Sequence, residues 1–161
     1  MNSKFVIVNF LFCNKLNIKL KINNIKMDPS FPVNQPRLPF KERVPFEDRK
    51  QFAIQLRQKK PNYVPLVVES DTTTNAINLK KDRFFIPEES KVSDFVKVLI
   101  DKYIEKDENI AISSICVKIQ TTNKAIQPSN EETIGSLYSA HQEKDGYLYF
   151  IVYKESVFGS F

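Results

Sequence analysis

An α+β fold is predicted, with a four-stranded mixed sheet, a crossover helix on one face and two extra helices at the N-terminal side. Three observations carry this. Tyr147–Tyr153 is an unbroken apolar and aromatic run of strand length, the pattern of a strand buried on both faces in mid-sheet. Val92, Phe95, Val96, Leu99 and Tyr103 recur at i, i+3, i+4, i+7, the period of a helix with one apolar stripe. Tyr63–Glu69 and Leu79–Ile86 read as two strands joined across the polar turn Ser70–Asn78, an antiparallel hairpin with a long loop.

Residues 1–26 contain no Pro, Gly, Ala or acidic residue. Lys4 followed by the apolar run Phe5–Cys13 reads as a signal peptide, but no small-residue cleavage site follows. The Asn, Lys, Ile, Leu and Phe vocabulary also fits a disordered leader, or non-coding sequence translated as a gene-model artefact; Met27-Asp28-Pro29 looks like the real start. The expected organisation is a leader over 1–27, a Pro-rich arm over 28–37, a domain over 38–158 and a processed tail over 159–161.

Pro39 opens a short helix through Arg43, where its missing N–H costs nothing. Pro45 repeats the device. Glu47 and Asp48 put negative charge at the start of the next helix, and Lys59-Lys60 put positive charge at its end. Pro61 stops it. Phe46, Phe52, Ala53 and Leu56 share one arc of this helix. After the hairpin, Ser90 is the expected N-cap of the striped helix. Ile115, Val117 and Ile119 alternate with other residues, so a strand is expected over about 113–120. Ser129-Asn-Glu-Glu132 reads as a capping box opening a short helix that buries Ile134, Leu137 and Tyr138.

The charge is uneven. Of 24 Lys and Arg, five lie before Asp28, which leaves 19 against 19 Asp and Glu in residues 28–161. The net +5 therefore belongs to the leader and argues for no nucleic acid partner of the domain. Cys13 and Cys116 form no spaced pair, hence no zinc or disulfide pattern, and fit a reducing, cytoplasmic setting. No stretch reaches the ~18 apolar residues of a membrane span.

Strand, strand, helix, strand, helix, strand is the β-grasp order of ubiquitin. With that order in place, four blocks resemble the ubiquitin-like autophagy modifiers of the GABARAP family. They are Pro45-Phe-Glu-Asp-Arg49 with Pro61-Asn-Tyr-Val-Pro-Leu-Val-Val-Glu69; Leu79-Lys-Lys-Asp-Arg-Phe-Phe-Ile-Pro87; Ile134-Gly-Ser-Leu-Tyr138; and Asp145 through Glu155-Ser-Val-Phe-Gly159. The spacing departs from the family only at an insertion around Glu105–Glu132.

The resemblance implies a mechanism. A cysteine protease removes Ser160-Phe161 and exposes the Gly159 carboxylate. An activating enzyme and then a conjugating enzyme carry it as a thioester to the amine of phosphatidylethanolamine, on the autophagosomal membrane. The nucleophiles are theirs, and the chain itself is no enzyme and needs no cofactor or metal. Two acyl chains make a firm anchor.

The resemblance also implies docking of autophagy receptors through short aromatic-x-x-aliphatic motifs, added as a strand to the second strand. The aromatic pocket would be Leu56, Pro65, Arg83, Phe85 and Tyr147; the aliphatic pocket would be Phe84, Ile86, Phe95, Val98 and Leu99. Phe52 stands where many members are acidic, Tyr63 where the family has Arg, and Lys102 replaces another.

Plainer readings stand beside these. Phe84, Phe85, Ile86 and Phe95 read as core, although consecutive Phe84 and Phe85 must face opposite ways on a strand. Arg83 alone reads as a solvated charge, His141 as a helix-end surface residue, and Cys116 as a small buried hydrophobe. No triad, paired-carboxylate or phosphate-loop constellation is present in the sequence. The alternatives are a non-conjugated ubiquitin-like interaction domain and a secreted or tethered protein using residues 1–26.

Overall fold

The computed structural model describes residues 38–71, 77–105, 115–121 and 124–155. The expected leader, the Pro-rich arm and the Gly159 tail lie outside them. All the elements belong to the unit that begins at Pro39.

The elements run α1 (Phe40–Arg43), α2 (Phe46–Lys59), β1 (Tyr63–Ser70), β2 (Arg83–Pro87), α3 (Val92–Tyr103), β3 (Ile115–Gln120), β4 (Ala125–Ile126), α4 (Ile134–His141) and β5 (Leu148–Lys154). Pro39 and Pro45 sit just ahead of α1 and α2, and α2 ends at Lys59, two residues before Pro61.

The sheet order is β2-β1-β5-β3-β4. β1 pairs antiparallel with β2 and parallel with β5, while β3 pairs antiparallel with β5. The mixed sheet and the central place of the last strand are as expected. The strand count is not: there are five strands, because the two-residue β4 pairs with β3 at Ile119↔Ile126 and Gln120↔Ala125. Two residues are too few to show a period in sequence.

The second strand is also shorter than its predicted span, Leu79–Ile86. Its first residues turn to the end of α3 instead: Leu79 bridges Ile104, the Lys80 N–H donates to the Tyr103 carbonyl at 2.8 Å, and the Glu105 N–H donates to the Asn78 carbonyl at 3.0 Å.

Both faces of the sheet are covered. On one, α3 and α4 close a core that includes Val64, Leu66, Val68, Phe84, Ile86, Phe95, Leu99, Ile134, Leu137, Leu148 and Phe150. On the other, α1 and α2 close a smaller cluster of Phe40, Ala53, Val67, Tyr147 and Tyr149.

Four local expectations need correction. The arc read on α2 is centred on Arg49 and Ala53, its buried residues; Phe46 and Phe52 flank it at 40% and 43% exposure. Arg49 tolerates burial because its charge is paired, as described below. Ser90 is not the cap of α3, whose N-cap Lys91 makes no side-chain bond. Instead the Val92 and Ser93 N–H groups donate to the Glu132 and Asn130 carbonyls at 3.0 Å each, a tertiary solution to the orphan donors of a helix start. The Ser129–Glu132 box closes a turn rather than a helix, with the Ser129 N–H donating to Glu132 Oε2 at 3.3 Å. Thr133 caps α4, its hydroxyl accepting from the Ser136 N–H at 3.2 Å. Cys116 is half-exposed rather than buried, with Sγ 3.6 Å from Glu155 Oε2.

Two of the three glycines in the chain answer to geometry. Gly146 has φ +81°, the left-handed region that suits glycine. At Gly135 a Cβ would lie 2.9 Å from the Glu88 Cβ and 3.0 Å from the Glu88 carbonyl oxygen.

Candidate peptide-docking edge

β2 is an edge strand. Among the described residues its one partner is β1, so its other row of backbone N–H and C=O groups faces outward. Such a row is a template for another strand.

Period-two alternation sends β2's side chains to different faces. Phe84 and Ile86 point to the α3 side, where the Phe84 ring meets Phe95 edge-on at 5.4 Å and Tyr103 at 5.1 Å. Arg83 and Phe85 point to the α2 side. There Pro65 is paired with Phe85, and Tyr147 directly precedes Leu148, the partner of Leu66. Phe85, Pro65 and Tyr147 therefore form one row across three strands. Leu56 is half-buried on α2, one turn beyond Phe52.

Of the expected aromatic set, Phe85, Pro65 and Tyr147 thus share that row and Arg83 lies on the same face of β2. The aliphatic set is more deeply placed: Phe84, Ile86, Phe95 and Leu99 are core residues, and Val98 is the half-exposed member.

Sequence reasoning missed how the edge is framed. Tyr63 stacks on Phe85 at 5.8 Å and 18°, with the Lys60 Nζ 4.8 Å above the Tyr63 ring. Lys81 lies 5.3 Å over Phe84 and 5.6 Å over Tyr103. Burial, then the Arg83 charge, hold the Lys81 ammonium below its usual pKa. Arg83 is no isolated solvated charge: it lies 3.7 Å from Asp82 and over the Phe40 ring. The edge is cationic on both faces, which favours acidic residues in whatever adds to it.

The α2 side is held by a buried polar network that also escaped sequence reading. Arg49 Nε donates to Asp145 Oδ2 at 2.7 Å, with both side chains buried. Arg49 Nη1 donates to the carbonyls of Val44 at 2.6 Å and Lys41 at 3.1 Å. Asp145 also accepts from the Tyr149 hydroxyl at 2.7 Å and the Tyr147 N–H at 3.2 Å. Burial, then that bond to Asp145, push the Tyr149 hydroxyl far above the ordinary phenol range. Arg49 and Asp145 stand 96 residues apart, so no local pattern couples them.

Fold and edge together define a ubiquitin-like domain with two extra N-terminal helices and an open edge at β2. A family model for the ubiquitin-like autophagy protein Atg8 matches residues 48–159. The autophagy-related protein 8 of Neurospora crassa is 30% identical over 125 residues, covering 78% of this chain and 97% of that protein. An autophagy-related protein 8-like protein of Dictyostelium discoideum is 26% identical, covering 75% and 93%. In fold, the chain is similar to Trypanosoma brucei ATG8, with a TM-score of 0.59 at 23% identity, covering 76% of this chain and 99% of that one. It is also similar to Plasmodium falciparum Atg8 in complex with an Atg3 peptide, at 0.60 and 27%, covering 76% and 98%. This chain belongs to the Atg8 family of ubiquitin-like autophagy proteins.

Proposed function

We propose that this protein is a ubiquitin-like modifier, conjugated through Gly159 to phosphatidylethanolamine. On autophagosomal membranes it would act as an adaptor for receptors with aromatic-x-x-aliphatic motifs. The observation that carries the docking half is the open edge of β2, with Phe85 on one face and Phe84 and Ile86 on the other. An extended peptide adding there meets an aromatic row on the α2 side and an aliphatic site at Val98 on the α3 side. The complex of the Plasmodium falciparum relative with an Atg3 peptide supports a peptide-borne partner here too, and with it the conjugating enzyme.

Gly159 supports the other half by its chemistry. Gly135 and Gly146 meet steric and conformational demands of the domain; glycine at position 159 carries no Cβ, which suits the demand of a narrow enzyme channel. A processing cysteine protease would expose its carboxylate, and activating and conjugating enzymes would pass it on. The protein itself is then a substrate and not an enzyme. It would be cytoplasmic until lipidation anchors it.

Intact mass and membrane partition of the protein from cells test conjugation. Gly159→Ala should leave it free of membranes with its fold intact. Deletion of Ser160 and Phe161 should bypass the protease and keep attachment. Lipid-linked Gly159→Ala protein would overturn the conjugation reading.

Docking is tested by titration with a short peptide. Affinity should be about micromolar, roughly −8 kcal/mol. Phe84 and Phe95 are core residues, so truncating them would cost stability before binding. Phe85→Ala is the cleaner probe and should weaken binding by ~2 kcal/mol. Amide shifts clustering away from residues 83–87 would refute the site.

A further inference from the structure

Three tyrosines are buried around the turn that enters β5, and two of them have hydrogen-bond partners. The Tyr138 hydroxyl donates to the Gly146 carbonyl at 3.0 Å and the Tyr149 hydroxyl to Asp145 at 2.7 Å. Tyr147 is only 4% exposed, yet among the described residues its hydroxyl has no hydrogen-bond partner. Buried phenols ordinarily have a partner. Among the described residues no fully enclosed side-chain oxygen lacks one, so this oxygen retains an opening to solvent.

Its surroundings define what would suit it. The Tyr147 ring meets Phe40 edge-on at 5.5 Å, and the Arg83 guanidinium lies 5.6 Å from the centre of the same Phe40 ring. Burial pushes the Tyr147 hydroxyl up to about 12 although the Arg83 charge pulls the other way. The hydroxyl therefore keeps its proton at physiological pH, with a cation close by.

We propose that Tyr147 is a specificity-determining residue of the docking edge, and that its hydroxyl, beside Arg83, selects a peptide whose aromatic anchor is tyrosine. The inference rests on the docking reading above and adds the chemistry of the anchor.

Three anchors can be compared. A tyrosine hydroxyl both donates and accepts, so it pairs with the Tyr147 hydroxyl in either direction. Its oxygen is also favoured by the field of Arg83. A phenylalanine ring would close the Tyr147 hydroxyl off from solvent and return nothing, leaving a buried polar group unpaired. The indole of tryptophan offers a donor only, and its positive hydrogen would lie in the field of the guanidinium.

The experiment is calorimetric titration of the full chain with three peptides that differ only in the anchor: Tyr, Phe or Trp. The tyrosine peptide should bind about fivefold or more tighter than either other, since a site built for a hydroxyl rejects the analogue without one. In Tyr147→Phe, which keeps the buried ring, the ratio between the Tyr and Phe peptides should fall to about twofold or less. A phenylalanine or tryptophan peptide binding as tightly as the tyrosine peptide would overturn the proposal. So would a tyrosine preference that survives Tyr147→Phe. Failure of all three to bind would instead remove the docking reading, and this inference with it.

Discussion

The two faces of the sheet are held by different physics. On the α3 side, Phe95, Leu99, Phe150 and their neighbours form a large apolar cluster, and the stabilisation is mainly area removed from water. On the α2 side the apolar cluster is small, and charged and polar contacts pin the helices around it. Glu69 accepts the Phe40 N–H at 2.6 Å, Arg43 pairs with Asp82, Lys41 with Glu143 at 2.7 Å, and Arg49 with Asp145. Burial is non-directional and rests on no single partner. Pins fix position but depend on each partner. The α3 side is thus the rigid support of the β2 edge, and the α2 side is where charge sets its geometry.

The largest effects should come from removing a core ring or one member of the buried pair. Phe95→Ala should cost ~3–5 kcal/mol of unfolding free energy by leaving a cavity beneath Phe84 and Phe150. Arg49→Ala should cost a similar ~3–5 kcal/mol, because Asp145 is left buried and uncompensated. Chemical denaturation measures both. A loss under ~1 kcal/mol for Arg49→Ala would erase the contrast between the faces.

Gly135→Ala comes next. The added methyl meets Glu88 backbone that has little room to move, and a loss of ~1–3 kcal/mol in the same assay is expected.

Lys41→Ala should do least, at most ~1 kcal/mol, since its pair with Glu143 is partly exposed and screened by salt. Repeating the measurement at high salt should shrink even that. An effect as large as that of Arg49 would show that exposed pins matter as much as buried ones.

Alkaline pH sharpens the comparison further. Tyr147 and Tyr149 have raised folded values. Unfolding frees them to ionise near 10, so their contribution is complete below pH 10 and is lost as pH rises toward the folded value. The loss should approach ~1.4 kcal/mol per pH unit for each. The slope of stability against pH above 10 should be shallower in Tyr149→Phe than in the unchanged chain.

The sequence alone determined the elements whose cause is local. The stripe Val92–Tyr103, the proline stops around α2 and the apolar run of the last strand all appear where their patterns put them, because each pattern repeats within a few residues. Consecutive Phe84 and Phe85 likewise had to face opposite ways. The family was legible from four short blocks in order. Tertiary structure decided what depends on distant partners. Arg49 is buried because Asp145 waits 96 residues away. The start of α3 is satisfied by the carbonyls of Asn130 and Glu132 rather than by Ser90. Leu79 joins Ile104, 25 residues on, instead of extending β2. In each case the deciding group lies far along the chain. A pattern read through a window of a few residues cannot contain it.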